Sequence, residues 1–186
     1  MTLTRTQFLI LAAMIVGTGT ILYGMGHPVI CKCGDVKFWY FDAVSPENSQ
    51  HIFDWYTPSH VIHGLLFYFV LWLLAPRLSF GTRLLLAVGI EATWEVVENT
   101  EFVINHYREV TISLDYYGDS VLNSVSDILF MVVGFLLAAS LPVWITVLLA
   151  ISLKLFVGVM IRDGLTLNVI MLLWPLDSIA QWQQGR

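Results

Sequence analysis

The feature that most constrains this chain is a series of apolar runs, each about as long as a helix needs to cross a bilayer. A crossing takes about 20 residues at ~1.5 Å per residue. The first run is Gln7 to Met25, with Arg5 before it. It carries no convincing small-x-small cleavage site, so it reads as an uncleaved helix rather than a signal peptide. The others are Ser59 to Ala75, Arg83 to about Asn99, Ser120 to Leu141, Val143 to Ile161 and Leu165 to about Gln181. Pro76 and Pro142 end two of them, as a residue lacking an N–H should. The last is the weakest, because Pro175 and Asp177 interrupt it, and it reads either as a kinked crossing or as an interfacial helix. The expected fold is therefore an all-α polytopic transmembrane bundle of about six short helices, forming one integral membrane domain over residues 1–186.

Composition supports this. Charged residues make up 12% of the chain and hydrophobic ones 57%, with a mean hydropathy of +0.74. A soluble domain carries roughly 25% charged residues. The net charge of −5 and the lack of a basic run argue against nucleic acid as a partner. The expected partners are the lipid bilayer and a second copy or another membrane subunit.

Two polar segments, 26–58 and 101–119, fall on one side if every run crosses. The other side has only tight connections. Arg5, Arg77, Arg83 and Arg186 cluster on the short-connection side, while Lys32, Lys37, Arg108 and Arg162 are spread over the long segments. Basic density in short loops marks the cytoplasm. Both long segments are thus expected outside the cytoplasm, and both termini inside.

The polar residues within the runs are the informative ones. Glu91, Glu95 and Glu98 stand at i, i+4 and i+7 and share one helical face. An isolated acid at the bilayer centre costs about 2.5–3.5 kcal/mol, so this stripe must face the bundle interior or a wet cavity. Asp119, Asn123 and Asp127 form a matching stripe at i, i+4 and i+8. His60 and His63 share a face at the start of the second run, with His51 and Asp54 just before it. Counted from the run ends, all of these lie in the outer half of the membrane, which favours one site over scattered polar residues.

Imidazoles and carboxylates at one level suit a divalent cation such as zinc, with one position left for water. The expected ligands are His60, His63, Glu95 and Asp119, with Glu95, Glu98 and Asp119 as catalytic acids or bases. Glu91, Asn123, Asp127, His51, Asp54 and Lys154 are expected around them, Lys154 pairing with a deep acid such as Asp127. No His-Glu-x-x-His signature is present. A hydrogen-bond network that fixes helix register and a proton or ion path are the other readings. Whether the chain is an enzyme is thus left open. The functions in view are a metal-dependent hydrolase of a lipid or small envelope molecule, an ion- or proton-coupled transporter, and a non-catalytic assembly subunit.

His27, Cys31 and Cys33 form a separate soft-ligand group, which a disulfide or a plain structural loop explains as well. The aromatics Trp39-Tyr40-Phe41, Trp55-Tyr56 and Tyr116-Tyr117 read as interfacial belt residues.

Through the segments His51–Gly64, Glu91–Glu98 and Tyr116–Asn123, the chain resembles an uncharacterised bacterial inner-membrane family, domain of unknown function 2585, over most of its length. More loosely it is similar to small VanZ-like membrane proteins. The resemblance implies a multi-pass plasma-membrane protein and transfers no activity.

Overall fold

A computed structural model describes residues 2–111 and 113–185. They form eight helices: α1 (Arg5–Gly24), α2 (Thr57–Leu74), α3 (Phe80–Glu98), α4 (Glu101–Val110), α5 (Val121–Ser140), α6 (Val143–Ile161), α7 (Leu165–Leu173) and α8 (Asp177–Gln183). Helices α1, α2, α5 and α6 are long and apolar enough to cross a membrane, which suggests a membrane protein. Helix α3 is as long, at 19 residues, but carries Arg83 and the three glutamates.

Local sequence sets the helix starts. Thr4 and Gln7 form a reciprocal capping box on α1. Ser79, Thr100 and Ser120 each accept a backbone N–H from the first turn of α3, α4 and α5, satisfying donors that have no partner inside the helix. Asp54 does this for α2, where its Oδ1 accepts the N–H groups of Tyr56 at 2.7 Å and Thr57 at 3.1 Å.

The core lies between α3 and α5, where Leu84, Ala87, Val88, Ile128, Met131 and Phe135 are buried together. Helices α2 and α5 approach to backbone contact at Gly64 and Gly134. A Cβ on Gly64 would fall 2.0 Å from the Met131 carbonyl oxygen, and one on Gly134 would fall 2.1 Å from that of Val61. This contact holds His60 of α2 against Asp127, the one acid of α5.

Both long segments gather at one end of the bundle. The first-turn N–H groups of α5 are given to loop carbonyls, Val121 to Pro28 at 2.9 Å and Leu122 to Val29 at 3.0 Å. Gln50 Nε2 donates to the Gly118 carbonyl at 2.8 Å, and Asn123 Nδ2 to that of His51 at 2.8 Å. Gly118 turns into α5 with φ of +91°, where a side chain would also meet His27. Some of the aromatics expected at a membrane interface also pack on other rings. Trp39 stacks on Phe41 and Phe53, and Trp55 meets Phe156 of α6. Residues 101–110, expected to be a polar connection, form α4, which buries Ile104 and Tyr107.

Among the described residues the sixth run is two short helices and not one crossing helix. Helices α7 and α8 make a hairpin that returns to its start: Gln183 Nε2 donates to Asp163 Oδ1 at 3.0 Å, and Asp163 accepts from Tyr56 Oη at the start of α2 at 2.8 Å. A segment whose two ends touch does not traverse the bundle. Pro175 and Asp177, which weakened this run in the sequence, lie where the chain breaks between the two short helices. Gln7 packs beside Ser79 and Thr82 at the opposite end. The expectation of both termini on one side depended on the sixth crossing, and Thr4 and Gln183 instead lie at opposite ends of the bundle. Arg186, counted among the basic residues, lies outside the described residues.

Candidate functional site

The site is built where the first turns of α2 meet the second half of α3. His60 and His63, three residues apart on α2, both direct Nδ1 at the Glu91 carboxylate. His60 lies 2.7 Å from Oε1, and His63 lies 3.0 Å and 3.1 Å from Oε1 and Oε2. The two rings stand edge to face with centroids 5.3 Å apart. Glu91 is fully buried and His60 is 8% exposed, so these groups are shielded from water.

Glu95, one turn along α3, sits 3.5 Å from His60 Nδ1. It is completely buried, and among the described residues neither of its carboxylate oxygens has a hydrogen-bond donor. Asp127 of α5 faces His60 Nε2 at 3.7 Å, and its Oδ1 is likewise buried without a donor. Burying a polar group with no partner is costly. Three carboxylate oxygens in this state around one imidazole mark a place that calls for protons, water or a cation. Ligand atoms of His60, His63 and Glu91 lie within 4.8 Å of one another, as do those of His60, Glu95 and Asp127.

Glu95, Glu98 and Asp119 form a third group by the same spacing, nearer the loop end. Asp119 does not join the histidines, which corrects its expected place among the ligands. Its carboxylate accepts from Asn99 Nδ2 at 2.9 Å and Tyr116 Oη at 3.0 Å, and its own N–H donates to Asn99 Oδ1 at 2.6 Å. Burial pushes the Asp119 carboxyl and the Tyr116 phenol up, the Asn99 and Tyr116 bonds partly opposing this for Asp119. Asn99 is the residue that sequence reasoning missed. One position after Glu98 it reads only as a helix end, and its partner is twenty residues away.

A cavity of about 300 Å³ opens beside the histidines, with Glu91, Glu98, Asp119 and Asp127 on its polar wall. The remaining expected residues take other roles. Asp54 caps α2 and also holds the Ser49 N–H at 3.0 Å. Asn123 ties the loop to α5, and His51, fully buried, contacts Glu47 at 3.4 Å. Lys154 does not pair with Asp127. It lies on the exposed side of α6, beside Leu155, Gly158 and Arg162 in a separate groove. Cys31 and Cys33 are joined as a disulfide, and Glu47 and His51 stand close to the sulfurs. His27 is not part of that group, because its ring nitrogens meet the carbonyl oxygens of Asp119 at 3.1 Å and Asn99 at 2.9 Å.

Comparison with known proteins leads in one direction. Residues 22–185 match the family described as protein of unknown function (DUF2585). A UPF0314 protein of Paracoccus denitrificans is 62% identical, across 87% of this chain and 84% of its own length. One from Agrobacterium fabrum is 54% identical across 89% and 83%, and one from Sphingopyxis alaskensis is 49% identical across 98% and 97%. No solved structure matches. The chain therefore belongs to the DUF2585 family, whose similar members carry the name UPF0314 protein.

Proposed function

We propose that this protein is a multi-pass inner-membrane protein that holds a divalent cation between His60, His63 and Glu91 and uses it for hydrolysis at the non-cytoplasmic face. The observation that carries the reading is Glu95, fully buried with both carboxylate oxygens lacking a donor, 3.5 Å from His60 Nδ1. A cation beside it would offset the cost of burying its charge. Two imidazole nitrogens and one carboxylate are a donor set used by catalytic zinc, with a position left for water. A cation there supplies a water acidic enough to ionise near neutral pH. Glu95 would then take the proton as general base. Asp127, across His60 from Glu91, would hold that imidazole with Nδ1 turned to the site.

Orientation rests on basic residues. Arg5, Arg77 and Arg83 gather at the end with the short connections, which marks it as cytoplasmic.

Elemental analysis of protein purified without chelators tests the proposal. A divalent ion in near-stoichiometric amount is expected, lost in His63→Ala and in Glu91→Gln and kept in Lys154→Ala. A metal-free wild type whose melt ignores chelators would leave Glu91 as a plain hydrogen-bond bridge between two histidines. Metal kept in both site variants would direct attention to Glu47 and His51, with Cys31 and Cys33 as further ligands once their disulfide is reduced.

A second reading is favoured by one observation. The Glu95–Glu98–Asp119 group continues from His60 toward the loop end, as a proton path would. A metal-free protein that dissipates a pH gradient in vesicles, and stops doing so as Glu95→Gln, would support it.

A further inference from the structure

The cavity is not uniform, and its two characters are separated along the bundle axis. At the loop end its wall is polar, with Tyr107, Tyr116 and Asp119. Toward the middle of the bundle it is apolar. Phe67 lies ten residues into α2 from Thr57, about 15 Å along the helix, and Ile90 lies eight residues before Glu98, about 12 Å. The histidines and Glu91 sit between these regions.

Helix α7 forms a further wall, polar at Asn168, whose amide lies beside the Tyr107 hydroxyl, and apolar at Leu165, Val169 and Leu172. Leu165, Asn168, Val169 and Leu172 line the cavity at i, i+3, i+4 and i+7, one face of that helix. The helix is held there by α4, through His106 Nε2 and the Leu172 carbonyl oxygen at 2.9 Å. At the rim, Ile90 is 49% and Val169 46% exposed. An opening with such residues, halfway down a membrane-length helix, faces hydrocarbon rather than water.

The order is therefore polar, then ligating, then apolar, from the loop end inward. A lipid of the leaflet on that side has the same order, headgroup first and chain beneath. Among the described residues the lining contains no lysine or arginine, and five acids lie on or beside its floor, so an anionic headgroup would be repelled unless a cation intervenes. We infer that the cavity binds a phospholipid taken in sideways from the bilayer, its phosphate on the cation at His60, His63 and Glu91 and one chain along the seam between α3 and α7. The inference rests on the metal site proposed above.

The experiment uses the full-length, metal-loaded protein in detergent, at low lipid-to-protein ratio, with phosphatidylglycerol carrying a diazirine in its acyl chain. After illumination the labelled residues are mapped by mass spectrometry. Labelling at Trp94 and Val169 is expected to saturate and to exceed that at Trp144, on the outer face of α6, several-fold. Val169→Trp, which fills the seam, should abolish the excess while metal content stays unchanged. A diazirine-tailed alcohol without phosphate should label Trp94 no more than Trp144. Labelling at Trp94 that equals that at Trp144 in metal-loaded protein overturns the inference and leaves the metal site standing. Equal labelling at Trp94 by the alcohol and the phospholipid overturns the role given to phosphate. Saturable, Val169→Trp-sensitive labelling that ignores chelator supports lipid binding and counts against the metal.

Discussion

Glu91 and Glu95 stand one turn apart on the same helix and are treated oppositely by their surroundings. Glu91 receives two imidazole nitrogens within 3.1 Å, whereas Glu95 receives no donor at all. Glu95→Gln should therefore move stability in opposite directions with and without metal. In chelated protein, removing a buried charge that lacks partners should stabilise by about 1–3 kcal/mol, roughly 2–4 °C in melting midpoint for each kcal/mol in a chain of this size. Added zinc should then raise the midpoint of the variant less than that of the wild type. Equal zinc-dependent gains in both would remove Glu95 from the site. The sequence shows that the glutamates share a face, but pairs Glu95 rather than Glu91 with the histidines. Helix α3 stops at Glu98, so Glu91 lies about 10 Å below its end, level with His63 at about 9 Å below Thr57. The sequence does not fix where either helix ends to within a turn, and so leaves open which acid meets the imidazoles.

Among the elements, the α7–α8 hairpin is the one that sequence periodicity misassigned, and its latch is titratable. Asp163 Oδ2 accepts from Tyr56, and its Oδ1 from Gln183 and from the Gly164 N–H. Burial nevertheless pushes its carboxyl from an ordinary 3.8 up to about 6, with those bonds opposing the rise. The folded latch thus binds a proton that the opened chain has released, and its stability falls as pH rises from about 4 to about 6, by up to about 3 kcal/mol at 1.36 kcal/mol per unit. The protection of amides in α7 and α8, after the intrinsic pH dependence of exchange is divided out, should fall over that window in the wild type and become nearly independent of pH in Asp163→Asn. Protection that increases with pH in the wild type would reverse the sign and refute the account. Such a latch is invisible in sequence, because Tyr56 and Asp163 are brought together only by the packing of α6 on α2. Helix α4 was equally hidden. Its buried positions, Ile104 and Tyr107, are too few to stand out from the polar residues around them. The long apolar helices, by contrast, were legible to within a few residues, because proline and serine mark their ends.

At the scale of the whole molecule, five helices of membrane length and a returning hairpin place segments 26–58 and 101–119 and the C-terminal hairpin at one end, and the α2–α3 connection at the other. In a variant with Cys31 and Cys33 replaced by serine, single cysteines at the exposed positions Asp42, Glu109 and Gln184 should all react with an impermeant thiol reagent in intact spheroplasts. One at Arg77 should react only after lysis. Labelling of Gln184→Cys only after lysis would restore a sixth crossing, and the reverse pattern at all four would turn the site toward the cytoplasm. The most direct test of the central claim is X-ray absorption at the metal edge of zinc-loaded protein. The account predicts only nitrogen and oxygen neighbours at about 2.0–2.2 Å, with two imidazoles in the outer scattering, and no such spectrum from His63→Ala, which should fail to load zinc. A sulfur shell at about 2.3 Å, or a spectrum unchanged by His63→Ala, would contradict it.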